Sequence, residues 1–287
     1  MSVIALRRRP GLRSVRRLGG RDRFFSASLV VLGVLVITAV LAPLLAPHDP
    51  EFTDLNSSLA PPSLAHPLGT DFSGRDTLSR LIHGARISLL GPLGVVAVSS
   101  VLGTLLGLVA AWRGGWLDTL ISRGLDLVFA FPGLLLAMVV VAVTGPGLLA
   151  PTLAMGVAYT PYVARLVRSA AIGEQAKPYV TAYRVQGFSG PAIALRHVLP
   201  NVSPVLLAQS TLNFGYALLD LAVLSYLGLG VQPPTPDWGS EIQIAQQAVL
   251  AGSPLSAAAP VLAVMVTVVV FTVVGEALAD RVTHRER

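Results

Sequence analysis

Cysteine is absent from the 287 residues, which excludes disulfides and thiolate metal sites. Charge is scarce as well, at 13% of residues against about 25% in an ordinary soluble domain. Lysine occurs once, as Lys177 between Ala176 and Pro178. A phosphate-binding Gly-x-x-x-x-Gly-Lys-Ser/Thr loop needs its lysine on the terminal phosphates, so this chain has no such nucleotide site. The Gly-x-Ser-x-Gly elbow of serine hydrolases is missing too. The five histidines (His48, His66, His83, His197, His284) are scattered, without metal-ligand spacing. These absences point away from covalent and metal chemistry.

What is present is apolar sequence in long runs. Hydrophobic residues make up 53%, and mean hydropathy is +0.68. Runs of roughly 20 apolar residues are membrane-length. Residues 1–24 carry eight arginines against one acid, read as a positive anchor ahead of a membrane segment rather than a nucleic-acid arm. Phe24 to Pro47 follow without a charge, too long for a cleaved signal, and residues 25–47 are assigned as the first span. Residues 48–85 read as an extracytoplasmic segment, extended at Pro61-Pro62. Asp76 to Arg86 has helical spacing and is placed in the interface before a second span over Ile87–Trp112. Trp112 and Trp116 are expected as interfacial anchors around a short turn. The uncharged stretch Leu127–Tyr162 exceeds one helix, and Gly145-Pro146-Gly147 divides it into spans three and four. A fifth span is assigned to Val202–Leu227 and a sixth to about Leu255–Val274, before a tail over 276–287. The loops assigned to the cytosol hold 18 of the 21 basic residues. The expectation is therefore an all-α polytopic membrane protein with six transmembrane helices and both termini cytosolic.

Two stretches stand out. Lys177–Asn201 reads as two short helices hinged at a glycine. Pro178 suits a first helical position, Gly187 a left-handed C-terminal cap, and Pro191 and Pro200 the start and end of the second helix. Tyr179 and Tyr183 fall on one face. The stretch is either an ordinary connector or a docking device. The second feature is a polar face inside span five. Gln209, Asn213, Tyr216 and Asp220 recur at i, i+4, i+7 and i+11, forming either a translocation-path wall or an interhelical hydrogen-bond network.

Thr181-Ala182-Tyr183, three residues, Gly187, nine residues, then His197-Val198-Leu199-Pro200 resembles the cytoplasmic signature of binding-protein-dependent ABC importer permeases. Thr181 and Tyr183 depart from the family's Glu-Ala-Ala triplet. Leu68-Gly69-Thr70-Asp71 with Gly74-Arg75-Asp76, Phe131-Pro132-Gly133, and Tyr226 to Gly239 with Asp237 and Trp238, look like the C-type permease of the dipeptide/oligopeptide/nickel branch. The resemblance implies a type I importer transmembrane domain over residues 86–275, with the first span as an addition. It implies a coupling loop (171–201) presenting Tyr179, Thr181, Ala182, Tyr183, Arg184, Gly187, Arg196, His197, Leu199 and Pro200 to an ATPase. Asp71, Gly74, Arg75, Asp76, Asp237 and Trp238 would serve extracytoplasmic partner contacts. The implied partners are a homologous second permease, two ATPase subunits that bind ATP and magnesium, a solute-binding protein and the bilayer of a bacterial cell membrane, with no nucleic acid. The cargo would be di- or oligopeptides, with nickel or another small solute as the alternative. A stand-alone secondary transporter is the competing class.

Overall fold

A computed structural model describes residues 13–250 and 255–285; the basic tail over 1–24 and the last arginines lie partly outside them. The described residues are helical, with a single isolated bridge between Thr70 and Asp76. In chain order the helices are α1 (Arg13–Val40), α2 (Ala42–Leu45), α3 (Thr77–Arg113), α4 (Gly115–Ala130), α5 (Gly133–Thr144) and α6 (Leu149–Gln175). They continue with α7 (Pro178–Val185), α8 (Gly190–Ile193), α9 (Leu199–Tyr226), α10 (Trp238–Leu250) and α11 (Leu255–Arg285).

Two stretches, Thr77–Arg113 and Ser256–Arg281, are each long and apolar enough to cross a bilayer, with mean hydropathies of 2.2 and 2.6. Helices α4 and α5 reach that standard only as a pair bent by 81° at Phe131-Pro132. The stretch expected to hold the third span is therefore bent into two helices, a broken span or a re-entrant loop, because Pro132 has no N–H for the ladder and pushes Phe131 out of the helical region. Helix α9 has the length, yet Gln209, Asn213 and Asp220 lower its hydropathy.

The interfacial helix expected over Asp76–Arg86 is not separate: α3 runs unbroken for 37 residues. Asp76 caps it by accepting from the Ser79 amide at 2.8 Å. Packing between α3 and α6 relies on small residues, as helix association in lipid does. A Cβ on Gly103 would stand 2.5 Å from Val163 Cβ, and one on Gly156 2.7 Å from Val98 Cβ, so the backbones meet where only glycine fits. Helices α9 and α11 join through Phe214 and Phe271, stacked at 3.8 Å.

Candidate functional site

The Lys177–Asn201 stretch is built on the ends of α3 and α6. Pro178 opens α7, and Gly187 (φ +84°) closes it. The Phe188 amide donates to the Tyr183 carbonyl (3.1 Å) and the Gly187 amide to Arg184 (3.0 Å), the paired bonds of a Schellman cap. Its usual hydrophobic contact is aromatic here, Tyr183 meeting Phe188 edge-on at 5.2 Å. Tyr183 also stacks on His197 at 4.0 Å and 18°. The tyrosine that departs from the family triplet thus braces the two halves of the loop.

The expectation that Pro200 ends the second helix is corrected. Helix α8 passes through a π turn (Ala194–Val198) straight into α9, the Leu199 amide donating to the Ala194 carbonyl. Pro200 cannot bond back to Arg196, and the wider turn accommodates its ring. Val180, Ile193 and Val198 are fully buried against Leu108, Val163 and Val167, so the loop has a core shared with the helical body. Trp112, expected as an interfacial anchor, instead lies against Gly190, with the Arg184 guanidinium 5.3 Å above its ring.

Glu174 was not singled out from the sequence; its only signal was an acid beside the Lys177-Pro178 break. Its carboxylate accepts from Tyr179 Oη at 2.7 Å, Asn201 Nδ2 at 3.2 Å and Lys177 Nζ. Burial pushes the Glu174 carboxyl up, but the bonds from Lys177, Tyr179 and Asn201 outweigh it and hold it below the usual range. Burial and the Glu174 bond push the Tyr179 phenol up. Thr181, Ala182, Arg184, Gly187, Arg196 and Pro200 are exposed, while Tyr179, Tyr183, His197 and Leu199 are half-buried beneath them.

The structure brings Gln209, Asn213, Tyr216 and Asp220 together along an open cleft of about 630 Å³. Its opposite wall comes from α4–α6 and includes Phe129, Tyr159 and Tyr162. Tyr159 Oη donates to Asp220 Oδ2 at 2.8 Å, and Gln209 Nε2 to Asn213 Oδ1 at 2.9 Å. Tyr159 and Tyr162, three apart in an uncharged run, escaped the sequence analysis because aromatics in a span read as ordinary packing.

The segment ahead of α3, expected to be extended at Pro61-Pro62, folds back on itself: the Leu59 amide donates to the Asp71 carbonyl at 3.0 Å and the Thr70 amide to that of Ala60 at 3.1 Å. Asp71, Gly74, Arg75, Asp76, Asp237 and Trp238 are all buried within this chain. Arg75 Nε bonds Asp71 Oδ2 at 2.9 Å. Ser88 Oγ donates to Asp237 Oδ1 (2.7 Å), and Trp238 Nε1 to the Leu81 carbonyl (2.9 Å). At the centre Arg80, fully buried, donates to Glu241 Oε1 from Nε (3.0 Å) and an NH₂ group (2.7 Å), and to the carbonyls of Pro50 and Pro234. The histidines are less scattered than their spacing implied. His48 and His66 lie 4.8 Å apart by ring centroid, and His66 Nδ1 is 2.9 Å from Asp76 Oδ1.

Apolar helices packed through small residues around a polar cleft define a multi-pass membrane transport subunit. Residues 103–287 match the family described as binding-protein-dependent transport system inner membrane component. Residues 15–62 match the N-terminal TM domain of oligopeptide transport permease C. The chain belongs to the first of these families, whose members are transport permeases rather than enzymes and work with a solute-binding protein and an ATPase. It is 37% identical to the dipeptide transport system permease protein DppC of Alkalihalophilus pseudofirmus, over 91% of this chain and 85% of that one. It is 40% identical to the di/tripeptide transport system permease protein DppC of Pseudomonas aeruginosa (88% and 85% covered). With the glutathione transport system permease protein GsiD of Shigella dysenteriae it shares 38% (92% and 87% covered).

Proposed function

We propose that this chain forms half of the translocation pathway of an ATP-driven importer for di- and oligopeptides. It pairs with a homologous second permease, two ATPase subunits and an extracytoplasmic solute-binding protein. The chain crosses the membrane six times with both termini in the cytosol, α4 and α5 together making the broken third span. ATP and magnesium are held by the partner ATPases.

The observation that carries this reading is the coupling loop. Its exposed ridge, with Arg184, Val185 and Arg196 outward, stands on a core continuous with α3 and α6. The guanidiniums offer charge-assisted contacts to an ATPase surface. A loop with an internal core transmits displacement instead of absorbing it. The Gln209–Asp220 face lines the path. The peptide assignment is supported by the relatives, whose names specify dipeptides, di/tripeptides and glutathione.

The test is uptake of labelled alanyl-alanine into proteoliposomes holding the four membrane and ATPase subunits, with the binding protein added. ATP- and binding-protein-dependent uptake is expected. Uptake by this chain alone, without ATP, would overturn the proposal in favour of a secondary transporter.

A further inference from the structure

We infer that the cleft between α4–α6 and α9 selects cargo bearing an ammonium group, with Asp220 as its counter-ion. This rests on the reading of the cleft as part of the path and names what it recognises there.

Among the described residues, Asp220 is the only charged side chain lining the cleft. One carboxylate oxygen is held by Tyr159 Oη, and the other has no bonding partner among the described residues. Tyr159, which bonds it, and Tyr162, Tyr216 and Phe129 line the same cleft, and aromatic ring faces carry negative potential. Phe129 and Tyr162 meet edge-on at 5.0 Å, and Tyr159 lies 6.3 Å from Tyr162. That wall already holds one cation at its rim, where the Arg165 guanidinium sits 4.6 Å over Phe129 while bonding Asp126 at 2.8 Å.

Aromatic faces beside one carboxylate are the chemistry that recognises an ammonium ion. Two turns earlier on α9, about 10 Å along its axis, Asn213 Nδ2 is buried without an acceptor. A carbonyl oxygen is the partner this donor lacks. An extended chain advances about 3.3–3.6 Å per residue, so a short peptide with its ammonium at Asp220 reaches that distance. The ammonium comes from the peptide's N-terminus or from a basic side chain; both offer the same chemistry.

Saturation-transfer NMR on the full membrane complex, without binding protein, compares alaninamide (cationic) with N-acetylalaninamide (neutral). Only alaninamide is expected to give a signal. Asp220→Asn should weaken it about tenfold or more, the share of one charge-assisted contact, and Asp220→Glu should keep most of it. Equal signals from both probes, or an undiminished signal in Asp220→Asn, would overturn the inference. Should Asp220→Asn fail to assemble, Tyr216→Leu, at a 61% exposed position, is expected to weaken alaninamide binding severalfold, and no change there overturns it equally. In uptake, losing both alanyl-alanine and alanyl-lysine in Asp220→Asn assigns the N-terminal ammonium; losing only alanyl-lysine assigns the side chain. If the wild-type complex takes up no peptide, the peptide reading fails while the probe comparison still decides this one.

Discussion

Glu174 and Tyr179 face each other at 2.7 Å across the break between α6 and α7. Asn201, at the head of α9, bonds both of them, to Glu174 at 3.2 Å and to Tyr179 at 3.1 Å. Three helices are fastened through one carboxylate. Glu174→Gln keeps the size and loses the charge that favours these donors. It is expected to loosen the start of α7 by about 1–3 kcal/mol, raising hydrogen exchange over residues 178–185 and lowering peptide taken up per ATP hydrolysed. Basal ATPase activity should persist.

That carboxyl has its pKa held below the ordinary value of 4.5. A depressed carboxyl contributes stability that is fully present above its unfolded pKa and is lost as pH falls through its folded one. The fastening should therefore be intact from neutral pH down to the ordinary carboxylate range and weaken only below it. Glu174→Gln should flatten that acid limb when exchange in residues 178–185 is followed against pH.

Gly187 has room but not freedom. No atom lies within 4 Å of the Cβ it lacks, so its φ of +84° alone penalises a side chain. Gly187→Ala should cost about 1 kcal/mol of local stability. Gly187→Asp, tolerated better in that region, should insert and accumulate normally while uncoupling ATP hydrolysis from uptake. Wild-type transport by that variant in reconstituted complexes would refute the coupling role of the ridge.

Arg80 and Glu241 form a buried pair 161 residues apart in sequence. Arg80→Met strands Glu241 and should destabilise the purified complex by about 3–5 kcal/mol, with Arg80→Met/Glu241→Leu recovering much of the loss. Burial pushes the Glu241 carboxyl up, against the opposing pull of Arg80. A raised carboxyl favours the folded state at lower pH. The melting temperature of Arg80→Met should accordingly rise as pH is lowered from 7 towards 5.

Close approach of α3 and α6 predicts its own coupled pair. Gly103→Ala drives a methyl against Val163 and should cost about 1–3 kcal/mol. Val163→Ala should be milder alone and should relieve Gly103→Ala when combined, a non-additivity that thermal melts of the four variants would measure.

Much of this was legible from residue type and spacing. Pro178 and Gly187 mark the ends of α7 because each encodes a backbone geometry. The i, i+4, i+7, i+11 face on α9 survives because helical period alone decides which residues share a side. The π turn before Pro200 was not legible: whether a proline stops a helix or is absorbed depends on the packing of Ile193 and Val198, a tertiary matter. Partners across long sequence separation were hidden for the same reason. Tyr159 and Asp220, or Arg80 and Glu241, have no local pattern linking them. Asp71, Arg75, Asp76 and Trp238 entered only through the family resemblance, which carries no contact information, and the structure pairs them with one another or with α3.

The absence of a stop at Pro200 has a mechanical corollary. From Gly190 to Tyr226 the chain is a single helical rod, with the ridge at one end and Gln209, Asn213 and Asp220 along its shaft. At about 1.5 Å per residue, Gly190 and Asp220 are about 45 Å apart along one helical path, which runs through the π turn at Ala194–Val198 and past Pro200 and Pro204 without leaving the helix. Under the proposed coupling, a push at Arg196 would therefore reach the cleft wall through one covalently continuous helix rather than through a relay of separate elements.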